Sequence, residues 1–199
     1  MNNPKLEPLI NLVHHRWALP ILCELHRNDG CKFVTLVTRL NLSKDALSRT
    51  LNALTQQDLV MRNPGYGHPL RPEYILTAKG QQIGQAVFEL MQTLEQLEIT
   101  EIALKKWSLP IVLVLQDQPR FTDILEQLPG LTTRALALGL GMLGQAELLE
   151  PFEGIGGSRK SYRLNLYGQE LAAKIKALIV AFPTEKTLAR VAIRARMQT

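Results

Sequence analysis

The sequence predicts a mainly α-helical protein with small β ribbons, built as two tandem modules joined by a long helix. Three observations predict it. The first is an internal repeat: Arg16-Trp17-Ala18-Leu19-Pro20-Ile21-Leu22 returns as Lys106-Trp107-Ser108-Leu109-Pro110-Ile111-Val112, an offset of 90. The second is apolar spacing of three and four residues, the period of an amphipathic helix. The third is a pair of short β-like segments around a Gly- and Pro-rich loop in each copy.

The repeat continues in register with small shifts. Phe33 matches Phe121, Leu36 matches Ile124, and Leu40 matches Leu128. Ser43 matches Thr132, and Leu47, Leu51 and Leu54 match Leu136, Leu140 and Leu143. Leu59, Tyr74, Leu76 and Gly80-Gln81 match Leu148, Tyr162, Leu164 and Gly168-Gln169. Ordered matches over about eighty residues mark a duplicated module. Module 1 spans 1–98 with its long connecting helix, module 2 spans 99–183, and a basic tail spans 184–199.

Each copy carries the same order of elements. A helix near Trp17 tolerates Pro20 because the first turn has N–H groups without helical partners. A short helix follows from about Phe33 to Leu40. Asn41-Leu42 then turns the chain into Ser43, a favourable N-cap, and the next helix ends near Gln57. Asp58 to Arg62 and Glu73 to Thr77 read as strands around the loop Asn63-Pro64-Gly65-Tyr66-Gly67-His68-Pro69. In the second copy the loop is Glu153-Gly154-Ile155-Gly156-Gly157-Ser158. From Lys79 to about Leu97 the apolar residues Ile83, Val87, Leu90, Met91, Leu94 and Leu97 describe a long helix. It leads toward Ile102 and Leu104 of the second copy with no Gly- or Pro-rich linker, so the modules should be held in a fixed relation.

Composition bounds the function. The 199 residues include 46% hydrophobic ones, enough for a real core, and the net charge is +5. That mild basic bias permits a polyanionic partner without requiring one. Residues 1–99 hold 10 Lys and Arg against 9 Asp and Glu, and residues 100–199 hold 13 against 9. No apolar run approaches the ~18 residues of a membrane span, and MNNPKLEPLI lacks the pattern of a signal peptide. A cytoplasmic, nucleoid-associated protein without membrane contact is expected. Cys23 and Cys31 have no metal-ligand spacing, and a disulfide between them is disfavoured inside a cell. His14 and His15 are adjacent and point about 100° apart on a helix, so they do not share an ion easily. Gly154-x-Gly156-Gly157 lies in a ribbon loop, not between a strand and a helix, so it is no nucleotide cradle. Nothing favours an enzyme, and no cofactor is expected.

Helix, helix, capped helix and two-stranded ribbon is the order of a winged helix-turn-helix. On a helical wheel Leu47, Leu51 and Leu54 share a narrow arc, while Lys44, Asp45, Ser48, Arg49 and Asn52 fill the opposite side. In such a fold this helix enters the major groove with its outer face toward the bases. Arg pairs bidentately with guanine, Asn with adenine, and Ser with either. Ser43, Lys44, Asp45, Ser48, Arg49 and Asn52 are therefore the candidate DNA-reading residues, with Arg62, Tyr66, His68 and Arg71 around the wing. Any surface helix shows a polar face, so the placement before a ribbon carries the argument.

Trp17, Phe33-x-x-Leu36, Leu42-Ser43-x-x-x-Leu47-Ser48-x-x-Leu51-x-x-Leu54, Leu59-Val60 and Pro72-x-Tyr74-x-Leu76-Thr77-x-x-Gly80 together resemble the HxlR group of bacterial, MarR-like winged-helix transcription regulators. The resemblance covers most of 6–98 and, more weakly, 100–181. It implies a DNA-binding regulator, usually a dimer joined through its terminal helices. Two departures matter. Family members often carry a sensing Cys before the first helix, where this chain has Pro4-Lys5-Leu6-Glu7-Pro8. Most also have one module per chain, whereas two fused modules allow a pseudo-dimer.

In copy two the counterparts of Lys44, Asp45, Ser48, Arg49, Asn52 and Thr55 are Thr133, Arg134, Ala137, Leu138, Gly141 and Gly144. This helix is not expected to read DNA. Ala137, Leu138 and Gly141 are instead expected to form an interaction face, against a partner chain in a homodimer or against the neighbouring copy. The tail from Lys186 to Arg196 reads as a short basic amphipathic helix or a solvated end. Duplex DNA is the leading partner. A tandem winged-helix protein scaffold and a regulator responsive to an unknown small molecule are the alternatives.

Overall fold

The computed structural model describes residues 6–63, 73–117, 119–153 and 160–182, with side chains at 151–153, 160 and 161 outside that description. Copy one runs α1 (Glu7–Val13), α2 (Ala18–Arg27), α3 (Phe33–Arg39), α4 (Lys44–Gln56), β1 (Val60–Arg62), β2 (Tyr74–Leu76) and α5 (Ala78–Gln96). Copy two repeats the order as α6 (Thr100–Ala103), α7 (Ser108–Val114) with a 3₁₀ turn, α8 (Phe121–Gln127), α9 (Thr133–Gln145), β3 (Leu149–Glu153), β4 (Lys160–Leu164) and α10 (Leu166–Ala181). Each ribbon is an antiparallel pair, with Arg62 opposite Tyr74 in one and Pro151 opposite Tyr162 in the other. The repeat therefore holds at the level of residue pairing. The tail 184–199 and its expected helix lie outside the described residues, apart from which the expected order of elements is present.

Local chemistry explains the element ends. Ser43 Oγ accepts from the Ala46 N–H at 3.2 Å, and Thr132 Oγ1 accepts from Ala135 at 3.2 Å, so both third helices carry an N-cap. Pro20 and Pro110 sit in the first turns of α2 and α7, where no helical N–H bond is lost. Five helices stop without a glycine. Asp29, Asn41, Asp58, Glu98 and Glu147 take positive φ values between 49° and 56°. After α4, Asp58 N–H donates to Thr55 O and Leu59 N–H to Leu54 O. After α9, Glu147 and Leu148 repeat those bonds to Gly144 and Leu143. These are Schellman closures, which satisfy the last helical carbonyls.

One such closure corrects the sequence reading. The long helix does not run on toward Ile102. It ends at Gln96, and Glu98 at φ 55° turns the chain, with Ile99 N–H bonded to Leu94 O at 3.0 Å. The absence of Gly or Pro concealed the break, because here the bonds and the burial of Ile99 impose the left-handed residue. The connection between copies is thus a tight turn. The short helices α1 and α6, each just before its copy's Trp-containing motif, are further elements that the sequence pattern does not signal.

The copies share one core, and α10 packs along α5. Ile83, Val87, Leu90 and Leu94 of α5 are fully buried, as are Ile175 and Leu178 of α10. The chain also packs α1 on α7 and α2 on α5. Among the described residues two ion pairs cross between copies: Arg16 with Glu101, and Lys174 with Glu89 at 3.2 Å. Hydrogen bonds from Gln85 and Lys174 hold the Glu89 carboxyl below its ordinary pKa. Its stabilising contribution is therefore present above the ordinary carboxylate pKa and is lost as the pH falls through the depressed value.

Copy two lacks one feature of copy one. Cys31 and Tyr74 exchange backbone hydrogen bonds at 2.9 and 3.0 Å, adding a third edge to the first ribbon. The residue in that place in copy two is Pro119, which has no N–H to give. Both cysteines are free thiols within the core, and burial raises the pKa of Cys23 to about 11.

Exchanges that involve glycine should have opposite signs at the start of α5 and at the turn that follows it. A Cβ at Gly80 would lie 2.0 Å from Leu59 O, so Gly80→Ala should lower the urea midpoint. Glu98 is exposed and held at φ 55°, so Glu98→Gly should raise stability by up to about 1 kcal/mol.

Candidate nucleic-acid interface

α4 is divided along its length. Leu47, Thr50, Leu51 and Leu54 are buried, and Thr50 closes its own hydroxyl onto Ala46 O at 2.9 Å. Ser43, Lys44, Asp45, Ser48, Arg49, Asn52 and Thr55 are all exposed on the outer side. Arg49 Nε donates only a long 3.4 Å bond to Asp45 O, back along its own helix. Among the described residues neither Lys44 nor Arg49 enters an ion pair, whereas Arg16, Arg27, Arg39, Arg62 and Arg120 each do. The outer face therefore offers two cations without carboxylate partners, with hydroxyl and amide groups between them. Asp45 is the exception in charge. It lies in the first turn, where a carboxylate suits the helix dipole, and it can accept from a cytosine amine.

The elements around α4 fix its position. At its C-terminal end, Thr77 Oγ1 donates to Asp58 O at 2.6 Å and accepts from Gly80 N–H, capping α5. Lys79 Nζ adds a 2.7 Å bond to Gln57 O. At its N-terminal end, the turn from α3 passes through Asn41 at φ 49°, with Leu42 N–H bonded to Val37 O. A carboxylate missed in the sequence also contributes: Glu73, on the wing, accepts from Phe33 N–H at 2.8 Å and so caps α3 from forty residues away. Nothing in the local sequence around Phe33 signals that partner.

At the wing, Arg62 is exposed and sits 3.8 Å from Glu73, a loose pair that leaves most of the guanidinium in solvent. Tyr66, His68 and Arg71 lie outside the described residues. The structure thus brings Ser43, Lys44, Asp45, Ser48, Arg49 and Asn52 onto one face and places Arg62 at the loop end of the adjoining ribbon.

The matching face of α9 is bare. Ala137 is exposed, Leu138 is 59% exposed, and a Cβ added at Gly141 or Gly144 would meet nothing within 4 Å. Among the described residues the neighbouring copy does not cover Ala137, Leu138 or Gly141. Gly139 differs, since a Cβ there would press on Ile111.

A family model described as HxlR-like helix-turn-helix matches this chain twice, over residues 12–101 and 102–184. The chain belongs to the HxlR-like helix-turn-helix family. It does so as a tandem duplication, both copies being recognised. Searches of curated proteins and of solved structures returned no match. Membership in this HxlR-like helix-turn-helix family suggests, at that coarse level, a DNA-binding transcription regulator. Among the described residues no helix is long and apolar enough to cross a membrane.

Substitutions should separate the two faces of α4. Leu51→Ala should cost about 2–5 kcal/mol of stability, because it empties a core site. Arg49→Ala and Asn52→Ala should each change it by less than about 0.5 kcal/mol, as exposed positions do. Urea unfolding monitored by circular dichroism measures both.

Proposed function

We propose that this protein is a transcription regulator that reads duplex DNA with α4 of copy one, aided by the wing residues Arg62, Tyr66, His68 and Arg71. The observation that carries this reading is the outer face of α4, where Lys44 and Arg49 stand exposed beside Ser48 and Asn52 and, among the described residues, without carboxylate partners. Arg49, Ser48 and Asn52 have the donors and acceptors that base edges require. Lys44, in the first turn, suits a phosphate. Copy two serves as a structural partner. A protein-scaffold role is the rival, and salt separates the two, because binding that releases counterions weakens steeply as salt rises.

For copy two, exposed Leu138 favours a second reading. In that reading the surface of Ala137, Leu138 and Gly141 receives a second chain in place of duplex DNA, giving a homodimer that presents two α4 helices to an inverted repeat, the rival of a single half-site. Light scattering on Leu138→Glu with Gly141→Glu tests it. Unchanged molar mass together with unchanged melting temperature would sink that reading.

The main proposal has a direct test at the reading helix. Arg49→Ala should weaken binding to the protein's best site by about 1–3 kcal/mol and relax the preference at one base pair. Ser48→Ala should weaken it less. Fluorescence anisotropy with a selected duplex and its single-base variants measures both. Unchanged affinity and preference in Arg49→Ala would remove α4 from the reading role.

A further inference from the structure

We infer that the DNA target of this chain is a single, non-palindromic half-site flanked on one side by sequence-neutral duplex. This rests on α4 being the reading helix, and it names the class of duplex that such a chain selects.

The first observation is the pairing of the copies. α5 and α10 pack together inside one chain, so the two modules form one unit that resembles a dimer. α4 and α9 hold equivalent places in that unit. Each has 13 residues, a hydroxyl N-cap and an exposed outer face. Two winged helices so joined ordinarily address two half-sites about one helical turn apart.

The second observation is that α9 lacks the three central groups with which α4 could specify bases. Ser48, Arg49 and Asn52 become Ala137, Leu138 and Gly141. A methyl, an isobutyl group and a hydrogen supply no hydrogen bond to a base edge. The open space at Gly141 and Gly144 shows that the fold of copy two does not require glycine there. At the ribbon, the position of Arg62 opposite Tyr74 is held in copy two by Pro151 opposite Tyr162. What α9 retains is Thr133 and Arg134 in its first turn, groups suited to phosphate. Phosphate contacts position a protein without conveying sequence.

The third observation opposes a symmetric alternative. Two chains could pair α5 with α5 and so present two α4 helices to a palindrome. The offset of 88 that matches Gly80 to Gly168 maps Glu89 onto Ala177 and Lys174 onto Ala86. The ion pair Glu89–Lys174 therefore exists only between unlike copies. In an α5–α5 pairing each Glu89 would face Ala86. Covalent joining adds an effective concentration on the order of millimolar in favour of the internal partner. Charge pattern and connectivity both select one reading helix per unit.

Selection from a randomised duplex library with the full-length protein tests the inference. We expect one block of base preference and no second block related to it by a two-fold axis at one-turn spacing. The variant Ala137→Ser/Leu138→Arg/Gly141→Asn restores on α9 the groups that α4 carries, and its sites are exposed, so thermal melting should report an intact fold. It should acquire a second, inverted block about one turn away. An inverted repeat selected by the wild-type chain would overturn the inference and support two α4 helices from two chains. A folded grafted variant that still selects one block would overturn it too, by removing α9 from the duplex. Absence of any enrichment in the wild type would instead fail the DNA-reading proposal itself.

Discussion

The packing of α5 against α10 is the constraint on which the rest depends. Their apolar positions recur at three and four residues, Ile83, Val87, Leu90 and Leu94 on one side and Leu171, Ile175 and Leu178 on the other, and all are buried. Burial of such side chains, at about 1.5–3 kcal/mol each, outweighs either ion pair between the copies, because exposed pairs are screened by solvent. Charge pairs here choose partners and register, while apolar burial supplies the energy. α2 lies on α5, and the latch of Thr77 and Lys79 ties the N-terminus of α5 to the end of α4. Copy two has the same latch in Asn165, which bonds Glu147 O and caps Gly168 N–H. The orientation of each third helix is thus set by the spine and not by its own outer face.

That division of labour explains how duplication could be followed by divergence on one side only. The buried sides of α4 and α9 are nearly the same, with Leu47, Leu51 and Leu54 matched by Leu136, Leu140 and Leu143. A change there leaves a cavity and costs several kcal/mol. The outer sides touch solvent, where substitutions cost little. Selection on function can therefore strip one outer face without disturbing the core that both copies share. Gly141 and Gly144 carry the one local penalty, about 1 kcal/mol each relative to Ala in a helix interior.

Much of this was legible in the sequence because it is written in local patterns. The repeat, the Ser43 cap, the leucine spacing of α4 and the polar arc opposite it all follow from side chains within a few turns of one another. What was hidden depends on distant partners. Glu73 caps α3 across forty residues, and no pattern around Phe33 signals it. The break at Glu98 was missed because a helix usually stops at Gly, and here Ile99 burial imposes the left-handed residue. The strands proved shorter than Asp58–Arg62 and Glu73–Thr77 suggested, because Asp58 closes α4 and Thr77 caps α5. The α5–α10 pairing was open in the sequence, since either helix has an apolar stripe that a second chain could equally cover. The wing residues Tyr66, His68 and Arg71 were legible as candidates, but their placement lies outside the described residues.

The tight turn at Glu98 gives the duplication its mechanical consequence. A flexible linker would let each copy search for DNA alone, and the second copy would then add only avidity. Here α5 ends, one left-handed residue reverses the chain, and α6 begins within three residues. Movement of one copy relative to the other would have to expose the α5–α10 stripe or unwind the Schellman closure at Leu94 and Ile99. Both are held by buried side chains. The copies would consequently meet any partner as one body. In a rigid pair of unlike copies, the bare copy constrains where the reading copy can sit, because any approach of α4 to a groove carries α9 with it. On the proposed reading, sequence preference then belongs to α4, and the tolerance for DNA shape is shared by both.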